Sequence, residues 1–168
     1  MRILWTRGTS PASKAICGVT GEDVSHVAIH VKVKDLDLVF HSNFLGLHVE
    51  LLSTFKRHSK IIYALEMEDI PSDLKYLYDT FSKEAGAFYD FGALFFIGFS
   101  LLARHYLKVP LPKSNLWQST GMYICTEWVE RIAWRYPDCD MSMYTPKQLY
   151  YVFLGHGAWQ SVDVSEYN

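Results

Sequence analysis

Ser25-His26-Val27-Ala28-Ile29-His30-Val31-Lys32-Val33 alternates valine and isoleucine with smaller or polar residues at a period of two. Only an extended chain puts every second side chain on one side, so the stretch reads as a β-strand with one oily face. His26 and His30 lie on the opposite, polar face. They are ~13 Å apart along a strand, too far to share a metal ion as a pair.

Working outward, the same signature recurs. Ile3-Leu4-Trp5 reads as a short strand, followed by the breaker run Gly8 to Pro11 and a brief helix, Ser13 to Val19, ended by Thr20-Gly21. Downstream, Leu36 to His41 is a strand reached through a turn at Asp35 to Asp37, and Leu47 to Leu52 and Lys60 to Met67 are two more. Strand after strand with short connections implies an antiparallel meander.

The period then changes. Ser72 to Ala85 places Leu74, Leu77, Tyr78, Phe81 and Ala85 on one side of a helix that Gly86 stops. Phe91 to Ala103 is thirteen residues without a charge and reads as a helix, shorter than the ~20 residues a bilayer requires. A loop rich in Pro, Lys and Ser, Val109 to Thr120, precedes an amphipathic helix from Cys125 to Tyr136, stopped by Pro137. Thr145-Pro146 starts another helix, with Thr as cap, and Trp159 to Val164 closes the sheet. The class is α+β, in one domain spanning 1–168.

The chain has 168 residues, 49% of them hydrophobic and 20% charged, enough for a core without staples. Its formal charge of −2, from 16 basic and 18 acidic residues, lacks the basic footprint of a nucleic-acid binder. Cys17, Cys125 and Cys139 are odd in number and form no C-x-x-C pair, which argues against a disulfide framework or a cysteine zinc site. The N-terminus reaches its second arginine at Arg7, before any apolar stretch of signal-peptide length. A reducing cytoplasm is the expected place of synthesis.

A serine-triad G-x-S-x-G is absent from the sequence. Cys125 stands at the start of a predicted helix, where first-turn amides and the helix dipole favour thiolate, lowering the usual thiol pKa of ~8.5. The same amides can receive an oxyanion. The plain alternative is a small buried apolar residue. Cys17 lies in an apolar stretch and Cys139 between two acids, so both read as bystanders. His26 begins the clearest strand and His41 ends the next, and a hairpin brings the two together. His48, His58, His105 and His156 read as surface or helix-face residues.

These pieces, in this order, resemble the circularly permuted papain-like thiol hydrolases, a branch of the NlpC-type superfamily that includes YiiX-like proteins and relatives of lecithin:retinol acyltransferase. The matching residues are Ile3-Leu4-Trp5, Val19-Thr20-Gly21, Ser25-His26-Val27-Ala28-Ile29, His41 after the next strand, Tyr89-Asp90, Tyr123-Ile124-Cys125-Thr126-Glu127, and Thr145 to Leu149. The resemblance implies an antiparallel sheet packed on helices, with the nucleophile at a helix N-terminus. It implies Cys125 and His26 as a dyad, with His41 orienting the imidazole and Glu50 as its rival. It implies acyl transfer through a thioester and no cofactor. The expected substrate is a cell-wall peptide, cut by a peptidase or amidase of the kind that suits a bacteriophage particle. The alternatives are a lipid-directed acyl hydrolase or acyltransferase and a non-catalytic component of a larger particle. Phe91 to Ala103 is where a membrane, an acyl chain or a partner protein would be met.

Overall fold

The computed structural model describes residues 1–67, 71–117, 119, 121–133 and 142–167. The chain begins with β1 (Arg2–Gly8), α1 (Pro11–Thr20), β2 (His26–Val33), β3 (Leu36–Asn43) and β4 (Gly46–Leu51). A one-turn helix, α2 (Leu52–Phe55), leads to β5 (Ser59–Glu66) and α3 (Pro71–Glu84). Then come α4 (Phe91–Leu107), α5 (Cys125–Ala133), α6 (Pro146–Gly155), β6 (Gln160–Ser161) and a closing 3-10 turn, Val164–Tyr167.

The architecture is α+β, with a six-stranded antiparallel sheet in the order β4-β3-β2-β1-β5-β6. It is a meander through β4 only, because β5 returns to the free side of β1. The turn between β2 and β3 is Lys34-Asp35, one residue earlier than the expected Asp35 to Asp37. Lys34 takes φ +54°, the sign that a two-residue hairpin turn demands. Pro11 belongs to α1 rather than to the preceding breaker, since Ser10 caps the helix by accepting from Ser13 N–H. The expected helix end at Tyr136-Pro137 and Cys139 lie outside the described residues.

The main core fills the Val27-Ile29-Val31 side of the sheet, where Trp128, Val129, Leu149 and Phe153 come down from α5 and α6. Trp5 Nε1–H donates to the Pro146 carbonyl at 2.7 Å, fixing the start of α6 to the centre of the sheet. Thr145 closes a capping box with Gln148, and its hydroxyl donates to Glu22 at 2.6 Å. The other sheet face is not solvated, as a single oily side would imply. Ala28, Val39 and Phe55 pack there under α2, and Leu4, Ile61 and Ala64 pack under Tyr167. His30 is buried on this face, bonded to the Tyr167 hydroxyl at 3.1 Å and to Asp37 at 3.0 Å.

β4, at one sheet edge, is held by the segment after α3. Leu47 N–H donates to the Ala87 carbonyl at 2.8 Å, and Gly86 N–H donates to the Leu47 carbonyl at 2.9 Å. Gly46 sits at φ +92° with no room for a side chain, since a Cβ there would meet the Ala87 oxygen at 2.4 Å. Gly46→Ala should therefore lower the free energy of unfolding by about 1–3 kcal/mol, from backbone strain together with the clash. Urea denaturation reads this directly, and an unchanged midpoint would contradict the close approach.

Candidate active site

β2 begins with His26, and Ile29 faces Phe40 across the β2–β3 pair. Three residues back from Ile29 and one forward from Phe40, His26 and His41 both point to the opposite sheet face. His26 Nε2 lies 3.0 Å from His41 Nδ1. His41 Nε2 lies 2.9 Å from Glu50 Oε1 on β4, and His58 Nε2 lies 3.4 Å from Glu50 Oε2. The two rivals for the orienting position thus stand in series: His26, His41, Glu50. A carboxylate only accepts, and a neutral imidazole carries one N–H. His41 therefore donates from Nε2 to Glu50 and accepts at Nδ1 from His26 Nε2–H. His26 Nδ1 keeps a lone pair.

The charges in this chain follow from burial. The hydrogen bond from His41 is the largest influence holding the Glu50 carboxyl below its ordinary range. Burial pushes His26 well below the usual imidazole range, and neighbouring His41, His48 and His58 push the same way. Burial also lowers His41, against the pull of Glu50. Two neutral imidazoles anchored on one carboxylate is the resting state near pH 7.

Cys125 opens α5, as expected, and Glu127 Oε2 takes the Ile124 amide at 2.9 Å. The expected thiolate is corrected. Burial pushes the Cys125 thiol up to about 11, against backbone hydrogen bonding from Val27 and Thr126. A helix dipole contributes ~0.3–1 kcal/mol, under one pKa unit, whereas full burial moves a group by as much as ~3–5 units. Desolvation wins.

Cys125 packs in the core on the Val27 side of β2, while His26 turns to the other side. No hydrogen bond joins them among the described residues. Each instead lines one of two adjoining cavities. The first, about 440 Å³, runs between Ile16 and Val19 of α1 and Leu94, Phe95, Phe99 and Leu102 of α4, with Cys125 in its wall. The second, about 420 Å³, holds His26, His41, His48, Glu50 and His58. Ser25, Tyr89, Ile16 and Leu94 line both. Burial, with Cys125 and Glu127 nearby, holds the Tyr89 phenol well above its ordinary range, so it stays a proton donor. Asp90 caps α4 through Ala93 N–H at 2.8 Å and also accepts from Ser119 N–H at 2.6 Å.

His48 and His58, read from sequence as surface residues, belong to this polar cavity. The β3–β4 register pairs His41 with His48, and that pairing was the available signal. His41, His48 and Glu50 offer ligand atoms all within 4.8 Å of one another. Spacing along the sequence offers only His26 with His30, which lie on one strand.

The crystal structure described as metalloprotein yiiX from Escherichia coli O157:H7, DUF1105, is similar to this chain with a TM-score of 0.62 at 14% identity. The match covers 96% of this chain and 94% of that one, a likeness of fold over nearly the whole length. No family profile matches the sequence, and no curated protein does.

A thiol held up at about 11 is mostly protonated at neutral pH. Alkylation of Cys125 by iodoacetamide should accordingly keep accelerating above pH 9, with its midpoint near 11. Mass spectrometry of the Cys125 peptide follows the rate, and a plateau by pH 8 would mean a resting thiolate.

Proposed function

We propose that the chain is a cysteine-dependent acyl-transfer hydrolase in which Cys125 attacks, His26 moves the proton, and the acyl chain lies in the apolar cavity beside the sulfur. The supporting observation is the place of Cys125: a helix-start thiol in the wall of an apolar cavity that adjoins a buried His-His-Glu chain. The order of motifs and the likeness of fold are in keeping with a permuted papain-like domain. Of the substrate classes expected from sequence, the cavity favours an acyl chain over a charged peptide.

With both groups neutral at rest, the proton leaves sulfur as the bond to carbon forms. His26 Nδ1 takes the thiol proton while Sγ adds to the carbonyl carbon. The carbonyl π pair becomes an oxyanion facing the first-turn amides of α5. Collapse expels the alcohol or amine, which receives the proton back from Nδ1. Water then repeats the sequence on the thioester, giving a carboxylic acid and the free thiol. In each half, His41 and Glu50 stabilise the transient imidazolium. The step requires His26 to approach Cys125 once substrate is bound, the closing of a gap often seen in unliganded sites.

The exposed stripe of α4 that rims the apolar cavity suits a lipid source of substrate. Phe95 and Phe99 are each 70% exposed, with Phe91, Leu102 and Tyr106 continuing the stripe. No helix among the described residues is long and apolar enough to cross a membrane. Such a face lies on a lipid surface instead.

Nitrophenyl esters of increasing acyl length, phospholipid vesicles and muropeptides, each offered to wild type and variants, test the reading. Ester or lipid turnover should fall at least ~100-fold in His26→Ala and further in Cys125→Ala, with an acyl adduct on Cys125 in wild type. Cleavage of muropeptides alone would replace the acyl substrate by a peptide, and no turnover by a folded chain would remove the hydrolase reading. Gly98 lines the cavity, and a Cβ there meets nothing within 4 Å. Gly98→Phe should shorten the longest acyl chain accepted while leaving the melting temperature within a few degrees of wild type.

A further inference from the structure

The geometry points to a divalent transition-metal site formed by His41, His48 and Glu50, whose occupation switches His26 off as a base. Two imidazoles and a carboxylate on neighbouring strands, with ligand atoms all within 4.8 Å of one another, are a donor set suited to zinc and its neighbours. The outer nitrogens are already engaged, as in sites built to hold a metal. His48 Nδ1–H donates to the Gly46 carbonyl at 2.9 Å, leaving its Nε2 lone pair free. His41 Nδ1 is engaged with His26 at 3.0 Å, which leaves Nε2, the nitrogen facing Glu50, as the ligand atom. The site opens on a cavity of about 420 Å³, so an ion can reach it. His58, half-exposed beside Glu50 Oε1 at 3.2 Å, is placed to be a fourth ligand or to yield to water.

The consequence for His26 is a matter of proton placement. Metal-free, His41 carries its proton on Nε2 and accepts from His26. A metal taking the Nε2 lone pair leaves the single proton of neutral His41 on Nδ1, where it must be donated to His26 Nε2. His26 then keeps its own proton on Nδ1, the nitrogen that would receive the thiol proton. The proton count is unchanged: the His26–His41 hydrogen bond survives with its direction reversed, and the metal replaces the one from His41 to Glu50. The binding stands without the acyl-transfer reading; the switching rests on it.

Competition with a chromogenic chelator measures Zn2+ affinity, and the visible band of bound Co2+ reports its coordination. Micromolar or tighter binding is expected, weakened at least tenfold by His48→Ala and by Glu50→Gln, while Cys125→Ala keeps the Co2+ band. Circular dichroism checks that each variant is folded, and His48→Asn serves where His48→Ala is not. Weak binding, or binding indifferent to both His48 variants, overturns the site. At pH 7.5, Zn2+ should slow hydrolysis of a nitrophenyl ester at least fivefold in wild type, reversibly with EDTA, and not in His48→Ala. Unslowed hydrolysis despite His48-dependent binding overturns the switch. If metal-free hydrolysis also ignores His26→Ala, the failure lies with the Cys125–His26 dyad and leaves the metal site standing.

Discussion

The pairing of β2 with β3 sets everything else. Side chains alternate faces with a period of two, so a slip of one residue would send His41 into the apolar core and strand His26 alone. The register is held from the core side. Phe40 lies against Ile29 across the pair and stacks edge-on with Phe81 of α3 at 4.9 Å. Sliding the strand would expose that ring and bury His41 among aliphatic side chains without a partner. Apolar packing on one face thus specifies a polar chain on the other, and Glu50 joins it because β4 continues the same alternation.

The polar chain survives burial because each member satisfies the next. An unpaired imidazole in the interior costs roughly 1–3 kcal/mol, whereas here the acceptor capacity of one carboxylate is passed through His41 to His26. The result is directional, two neutral imidazoles ending on one carboxylate. Directionality matters more than charge: the ring nitrogen on which His26 carries its proton is decided two residues away, at the far side of His41. Cys125 is governed by the opposite influence, since its surroundings are apolar and keep its proton on sulfur.

The strands, α1, α3, α4 and α6 were legible because each has a period and a punctuation mark: Gly21 after α1, Asp90 before α4, Thr145-Pro146 at α6. Cys125 was legible as a helix start. Its protonation was not, because the dipole is a local property and burial a tertiary one. His48 and His58 were also missed. His48 shows its partner only through the β3–β4 register, and His58 lies in the turn after α2, a helix whose four residues are too few to show a period. The second buried face of the sheet was hidden for a similar reason: α2 and the closing turn that cover it are short and distant in sequence.

The site's outer strand has a further consequence. β4 is a sheet edge, and an edge invites other chains to add strands. Its first residues are already paired with the backbone at Gly86 and Ala87, which leaves little ladder there for an intruder. Farther along, His48 and Glu50 stand on the sheet face beside the edge, and a strand added there would crowd the polar cavity they line with His41. The residues that shape the polar cavity thereby also oppose strand addition along this part of the edge. A change that made β4 apolar would endanger solubility as well as chemistry.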